Sequence, residues 1–204
     1  MKEGKIPPEL LKSLVFNNIK VRNEEVILRP EIGEDCAAID FGSHACVLST
    51  DPITGAVKDA GALAIHISCN DVATSGVRPV GIMVTILAPP EAAEEDIKRV
   101  MEEAGEAASK LGVEIIGGHT EVTSAVNRIV ISTTALGKAQ KDRIVRSSGA
   151  KAGDDVIMTK WAGLEGTSII ASDKGKELEA VLTPEEIESA RSFIDNISVV
   201  EEGV

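Results

Sequence analysis

The order in which apolar segments follow one another is the feature that most restricts how this chain can fold. Two strand-like runs at 36–40 and 45–50 flank the turn residues Gly42 and Ser43 and predict a β-hairpin. The spacing of the apolar residues then predicts a helix, a strand, a helix and two strands, at 61–75, 80–87, 91–111, 113–116 and 129–136. The resulting order β-β-α-β-α-β-β predicts a split α+β domain.

Shorter elements are expected on either side of this pattern. Pro7 and Pro8 begin a run that predicts a short helix, and residues 26–30 form an extended piece. After Lys151 the pattern changes, and a strand and two helices are predicted at 156–160, after 163 and at 184–194. We therefore expect an ATP- and Mg-binding amino-terminal domain at 1–150 and the incomplete start of a carboxy-terminal α/β domain at 151–204.

Composition determines what kind of core the chain can build. Aromatic residues make up only 2% of the 204 residues, with three Phe, one Trp and no Tyr, whereas hydrophobic residues make up 43%. The core must therefore consist of Ile, Val, Leu and Ala, which suit close packing of helices on a sheet.

A net charge of −12 argues against nucleic acid as a partner. Affinity for nucleic acid depends on neutralising phosphates, and the sequence contains no basic stripe and no cluster of aromatic residues for base stacking. An acidic protein can still bind a nucleotide when a metal ion lies between its carboxylates and the phosphates.

The cysteines Cys36, Cys46 and Cys69 are odd in number and lack CxxC spacing. This pattern disfavours zinc and a disulfide framework, and it predicts buried free thiols in a cytoplasmic protein. No apolar run approaches the ~18 residues needed to span a bilayer, and no signal peptide is recognisable, so we expect no membrane association.

Four polar clusters stand at the ends of apolar segments. Their members are Asp35 before the hairpin, Asp51 at its end, Asn70 and Asp71 in the Ala-rich helix, and Gly117, Gly118, His119, Thr120 and Glu121 after the strand at 113–116. Mg²⁺ prefers oxygen ligands and combines a few carboxylates with waters and phosphates. Phosphoryl transfer needs positioning and charge neutralisation more than a protein nucleophile.

Each cluster also has a structural interpretation. An Asp at a strand end often serves a turn or a cap, and Gly117-Gly118 is a common turn pattern. His119 beside Glu121 could act as a general base, bind a soft metal, or simply form a hydrogen bond to the backbone. The P-loop, the dinucleotide fingerprint and the GxSxG elbow are absent. The residues alone therefore indicate an acidic site for a metal or for phosphate.

Four motifs occur in a fixed order between Ile32 and Thr134, namely GEDCAAI at 33–39, STD at 49–51, CNDVATSGVRP at 69–79 and GGHTE at 117–121. They resemble, in the same order, the G-D-D-A-A-V segment, the S-T-D strand end, the N-D helix and the G-G-[DE]-T loop of the aminoimidazole ribonucleotide synthetase (PurM)-like superfamily. Within it, the chain most resembles the hydrogenase expression/formation protein HypE and the AIR synthase-related proteins.

The resemblance implies a fold like the PurM amino-terminal domain, with a mixed four-stranded sheet and helices on one face. It also implies a homodimer, in which strands of both subunits form a barrel, and ATP and Mg²⁺ as cofactors. Asp35, Asp51 and Asp71 would hold the metal and the phosphates. The other nucleotide-binding residues would be Asn70, Gly117, Gly118, His119 and Thr120. No catalytic residue is assigned.

The chain departs from the superfamily pattern at three points. Glu34 replaces the first acid of the Asp pair, and His119 replaces the acidic residue of the Gly-Gly loop. Histidine is a poor Mg²⁺ ligand, although Glu121 could substitute. Most of the second domain is missing, and so is the terminal Cys that accepts the carbamoyl group in HypE; the sequence ends at Val204.

The leading functional expectation is an ATP-dependent HypE-like enzyme of hydrogenase maturation, or its amino-terminal part. It would activate an amide or carbonyl oxygen of a small-molecule or protein-bound carbamoyl substrate by Mg-dependent phosphorylation. The alternatives are a catalytically silent, nucleotide-binding dimeric paralogue or regulator, and an enzyme like thiamine-monophosphate kinase or aminoimidazole ribonucleotide synthetase.

Overall fold

A six-stranded mixed sheet forms the centre of the computed structural model, which describes residues 2–56 and 58–204. The strands are β1 Val26–Leu28, β2 Ala37–Asp40, β3 Ala45–Ile53, β4 Pro79–Ala88, β5 Glu114–Val122 and β6 Val130–Ala139. Their order across the sheet is β1-β2-β3-β6-β4-β5. β4 and β5 pair in parallel and the other neighbours pair antiparallel.

The sheet is wider than the expected four strands. Strands β3, β6, β4 and β5 make up the mixed four-stranded part, but β2 and β1 extend it at one edge. β2 pairs with β3 over Ala37–Asp40, as the hairpin prediction requires, and β1 then pairs with β2. The count of four was wrong because the extended piece at 26–30 and the first hairpin strand both join the ladder.

Seven α-helices are present in the described residues: α1 Pro8–Leu14, α2 Ala60–Thr74, α3 Glu94–Leu111, α4 Leu164–Asp173, α5 Gly175–Leu178, α6 Pro184–Arg191 and α7 Val200–Gly203. α2 and α3 alternate with the strands in the predicted order, so the pattern β-β-α-β-α-β-β is confirmed. A capping box starts α6: Glu186 N donates to Thr183 Oγ1 and Thr183 N donates to Glu186 Oε2.

Two local predictions were wrong. Gly117 and Gly118 form no turn, because β5 continues through them alongside β4 as far as Val122. A register shift in the ladder occurs here, and a Cβ atom on Gly118 would lie 1.7 Å from the carbonyl oxygen of Val84. The segment 156–160 is not a strand, since no strand lies beside it in the part of the chain that the structure describes.

Helix α2 lies against the sheet and is buried on nearly every side. Thr133 of β6 donates its hydroxyl to the carbonyl of Ala64 at 2.8 Å, and Ser68 forms a 2.7 Å hydrogen bond to the same hydroxyl. The largest fully buried side chains are aliphatic, as composition predicted, and include Leu63, Ile65, Ile82, Ile86 and Ile131. These contacts fix the position of α2 over β3 and β6.

The carboxy-terminal part of the chain shares this core. Ile197 and Val200 are buried in the same hydrophobic cluster as the residues of α2. Earlier in this part of the chain, the rings of Trp161 and Phe193 stack with their centroids 6.2 Å apart. The division at residue 150 therefore remains a prediction about domains, whereas residues 197–203 clearly pack on the amino-terminal part.

The face of the sheet opposite the helices is open in the single chain. Side chains of β3 alternate between buried and accessible positions, and the buried ones face α2. On the other face and along β5, apolar side chains are about half exposed, including Val80 at 52%, Met83 at 47%, Ile116 at 50% and Val122 at 63%. Helices on one face only, as predicted, leave this surface uncovered.

We expect Gly61→Ala to lower the free energy of unfolding by about 1–3 kcal/mol, the usual effect of overpacking. A Cβ at Gly61 would lie 2.1 Å from the carbonyl oxygen of Val100, where α2 crosses α3. The matched control is Gly105→Ala in α3, which has no atom near the added Cβ and should gain up to about 1 kcal/mol of helix propensity. Urea denaturation measures both; equal effects would contradict the close crossing.

Candidate phosphate and metal site

Two carboxylates meet where α2 lies over β3. Asp51 is two residues after Ser49 in β3, so both side chains face α2. The side chain of Asp71 forms hydrogen bonds with Asp51 and with Ser49, whose hydroxyl lies 2.8 Å from Asp71 Oδ2. The predicted partners Asp51 and Asp71 are therefore brought together by the sheet and the helix.

Asp35 joins this group through Ser49. The Ser49 hydroxyl lies 3.0 Å from the main-chain oxygen of Asp35, in the loop that leads into β2. A hydroxyl has a single proton, so it donates at any moment to Asp35 or to Asp71. Ser49 was not predicted as a site residue, although its i, i+2 spacing from Asp51 is a signal that could have identified it.

The electrostatics of the group favour a bound cation. The pKa of the Asp71 carboxyl is raised to about 7, first by burial, then by the hydrogen bond to Asp51 and the charges of Asp51 and Asp35. The Ser49 hydrogen bond acts in the opposite direction. Without a cation, the charge of Asp51 and the burial of the site therefore favour the protonated form of Asp71.

The carboxylates of this site suit Mg²⁺, which completes its coordination with waters and phosphate oxygens, better than an ion coordinated by protein side chains alone. In the described residues, no group of three or more His, Cys, Asp or Glu side chains could by itself hold an ion. Mg²⁺ keeps several waters and binds through one or two carboxylates together with phosphate oxygens. Asp51 and Asp71, with Asp35 nearby, supply ligands of this kind.

The Asp35 loop is held from outside by a segment that the sequence did not single out. Ser147 Oγ donates to the main-chain oxygen of Gly33 at 2.6 Å, and Ser148 N donates to Glu34 Oε1 at 3.3 Å. Glu34, which replaces an acid of the superfamily motif, thus has a structural partner. Serines after a strand are too common to have indicated these contacts.

Asn70 is directed away from the carboxylates. Its side-chain nitrogen donates to the carbonyl of Ile197 at 2.9 Å, and its side-chain oxygen accepts from Val199 N at 2.8 Å. Asn70 lies in α2 as expected, one residue before Asp71, but its side-chain amide forms its hydrogen bonds with the carboxy-terminal segment. The structure therefore gives it a partner that the motif did not predict.

The residues Gly117, Gly118, His119 and Thr120 lie in β5, apart from the aspartates. Strands β6 and β4 separate β5 from β3, so the two are about 14 Å apart at the usual strand spacing. His119 Nε2 lies 3.1 Å from Glu121 Oε2, and both side chains are more than half exposed. A single chain thus does not bring this segment to Asp35, Asp51 and Asp71.

Two cysteines border the site as neutral thiols. Cys36 Sγ donates to the main-chain oxygen of Asp71 at 3.1 Å. Burial raises the pKa of the Cys36 thiol to about 11 and that of Cys69 to about 12. The expected burial of free cysteines is confirmed for these two, while Cys46 is half-buried. Thiols that stay protonated are poor metal ligands.

The sheet, its one-sided helix layer and the carboxylates between α2 and β3 define an α+β domain of the PurM amino-terminal type. The chain belongs to the family described as AIR synthase related protein, N-terminal domain, which matches residues 33–139, just over half of the sequence. The resemblance carried by the four motifs is thereby confirmed.

Curated relatives extend this similarity. A putative hydrogenase expression/formation protein of Methanocaldococcus jannaschii is 27% identical over 206 residues, covering 98% of this chain and 61% of that protein. Carbamoyl dehydratase HypE of Cupriavidus necator is 28% identical over 155 residues, covering 72% of this chain and 44% of that protein. The chain thus spans only part of the length of either relative.

Solved structures show the same fold. AaThiL complexed with AMPPCP and TMP has a TM-score of 0.75 over 99% of this chain and 64% of its own, at 18% identity. Hydrogenase maturation protein HypE in complex with ATP has a TM-score of 0.58 over 85% of this chain and 52% of its own, at 26% identity.

No helix in the described part of this chain is long and apolar enough to cross a bilayer.

We expect Asp71→Asn to stabilise the protein more at pH 8 than at pH 5 when no Mg²⁺ is present. The pKa of Asp71 is about 7 in the folded state, above its usual value of ~3.9 in an unfolded chain. Stability from this group is therefore complete below pH ~4 and is lost as pH rises through 7. The neutral amide escapes this loss.

Thermal unfolding at the two pH values measures this effect. Asp195→Asn removes an exposed carboxylate in the carboxy-terminal part and serves as the matched control. An equal change in midpoint at both pH values for Asp71→Asn would contradict the raised pKa of the Asp71 carboxyl.

Proposed function

We propose that this chain binds Mg–ATP through Asp35, Asp51 and Asp71 as the amino-terminal part of an ATP-dependent, HypE-like enzyme. The observation that carries the proposal is the pair of facing carboxylates, Asp51 and Asp71, which β3 and α2 hold close together beside Ser49. A divalent cation would remove their repulsion and attract phosphate oxygens at the same place.

The similarity to nucleotide complexes supports this proposal. HypE has been solved with ATP, and AaThiL with the ATP analogue AMPPCP. Bound Mg²⁺ would neutralise charge on the phosphates, which is the main requirement of phosphoryl transfer. Ser49 would keep Asp71 aimed at the metal, because its hydroxyl already contacts that carboxylate.

The proposed reaction is phosphorylation of an amide or carbonyl oxygen. One similar protein is named carbamoyl dehydratase HypE and another a hydrogenase expression/formation protein, so a carbamoyl group in hydrogenase maturation is the substrate class we favour. Release of ADP that depends on a carbamoyl compound would support this reaction. We also place the protein in the cytoplasm, in keeping with its free cysteines.

A homodimer is part of the proposal. The open face of the sheet and the edge strand β5 expose apolar side chains, which suits pairing with a second copy. Gly117–Thr120 lie too far from the aspartates of their own chain, so we propose that they contact a nucleotide bound mainly by the other copy. The missing acid at His119 would then weaken, rather than remove, the site.

A catalytically silent paralogue is the second candidate. His119 and Glu121 pair with each other, so the strand offers no free carboxylate where the superfamily motif has an acid. Binding of Mg–ATP without any ADP release, with carbamoyl compounds present, would favour this candidate over the enzyme.

We expect Asp51→Asn and Asp71→Asn to weaken Mg–ATP binding by about tenfold to a hundredfold, with Asp35→Asn following the same direction. Loss of a carboxylate removes a metal ligand and its charge. The control is Asp40→Asn in β2, which breaks only the 2.8 Å contact with Lys141. Isothermal titration calorimetry gives the affinities. An unchanged affinity for Mg–ATP in all three site variants would contradict the proposed site.

We expect Met83→Lys to shift a dimer toward monomer, because it places a charge on the open face of the sheet. Val181→Lys is the matched control, since Val181 is 78% exposed but lies outside the sheet. Light scattering coupled to size-exclusion chromatography measures both variants and the wild type. A wild-type protein that stays monomeric at high concentration would contradict the dimer.

A further inference from the structure

Asn70 occupies a side of α2 different from that of Asp71. Successive helix residues are about 100° apart around the axis, so neighbours point in different directions. Asp71 faces Ser49 in β3, whereas Asn70 faces residues 197–199. One turn of helix thus carries a carboxylate of the proposed site and a contact to the carboxy-terminal segment.

The contact uses both ends of the Asn70 amide. A main-chain carbonyl only accepts and a main-chain N–H only donates, so the bonds to Ile197 and Val199 require one donor and one acceptor on a short side chain. Asp lacks the donor and Ser has a single atom for both bonds. Among short side chains, Asn fits this contact best.

Residues 197–203, the docked segment, are held by further contacts around Asn70. Ile197 and Val200 are buried, and Arg78 donates two hydrogen bonds to the carboxylate of Glu201 at 2.7 and 3.0 Å. A Cβ on Gly203 would lie only 2.7 Å from the carbonyl oxygen of Ala73. The docked segment therefore lies directly against the end of α2 that carries Asp71.

We propose that Asn70 is a positioning residue: by holding the docked segment against α2, it fixes the helix end that aims Asp71 at Asp51. Docking of residues 197–203 and binding at the carboxylates are then linked, and each favours the other. This inference rests on the proposed Mg–ATP site and deepens it, because it gives the carboxy-terminal part of the chain a role in that site.

The test compares two substitutions on opposite sides of the contact. Asn70→Ala removes both hydrogen bonds from the α2 side, and Gly203→Val dislodges the docked segment by a clash with the main chain of Ala73, without changing the sequence of α2. Each should weaken Mg–ATP binding roughly 5- to 150-fold, the usual range of coupling between sites. The double variant should lose no more than the stronger single variant, since both break one contact. Asn127→Ala, in an exposed loop, is the control.

Hydrogen exchange without nucleotide provides a second readout. Both variants should speed the exchange of amides 68–72 as well as those of 197–203, while β4 stays protected. Weakened binding in Asn70→Ala alone, with unchanged binding in Gly203→Val, would make Asn70 a direct ligand and overturn the inference. Unchanged exchange at 68–72 in both variants would overturn it as well.

The two readouts separate this inference from the proposed function. If the wild-type protein does not bind Mg–ATP, the proposed function fails, and the exchange of amides 68–72 alone decides whether the docked segment fixes the end of α2. If the wild type binds and Asp71→Asn weakens binding, the comparison of Asn70→Ala with Gly203→Val decides the coupling.

Discussion

The close burial of α2 is the constraint on which the rest of the structure depends. One side of this helix contacts the sheet through Thr133, another crosses α3 at Gly61, and a third receives the docked segment at Asn70. A helix with three different neighbours needs a different residue type toward each of them, which explains why it mixes Gly, Ser, Asn and Asp among aliphatic residues. Its position in turn determines where Asp71 stands.

The same burial strengthens the attraction of the carboxylates for a cation and, without one, makes them destabilise the folded chain. Desolvation and the charges of its neighbours hold the pKa of Asp71 far above its ordinary range. Packing alone would be better satisfied by an apolar residue at this position, so its chemistry indicates a function that needs charge there. Ser49 and the outside contacts from Ser147 and Ser148 keep the surrounding loop in place.

Much of the fold could be predicted because periodicity and composition act locally. The hairpin, the two long helices and the aliphatic core follow from the pattern of apolar residues. The pairing of β1 with β2 at the sheet edge and the continuation of β5 through Gly117 and Gly118 could not be predicted in this way. They depend on pairing partners that are distant in sequence, and two glycines are also the common signal of a turn.

In the candidate site, too, local motifs predicted some features, whereas contacts between distant parts of the chain could not be predicted. Asp51 and Asp71 were placed together by the motifs, and the structure brings them into contact. The partner of Asn70 lies 127 residues further along the chain, so no local pattern could have indicated it. The position of His119 depends on strand order, which the order of elements along the chain leaves open.

The stacking of Trp161 on Phe193 has a practical consequence for how this protein can be observed. Trp161 is the only tryptophan in a sequence without tyrosine, and it lies outside the sheet. Intrinsic fluorescence therefore reports on the carboxy-terminal part alone, while circular dichroism reports mainly on the sheet and the long helices. Overlaying the two signals during denaturation would show whether the chain melts as one cooperative unit or in two stages.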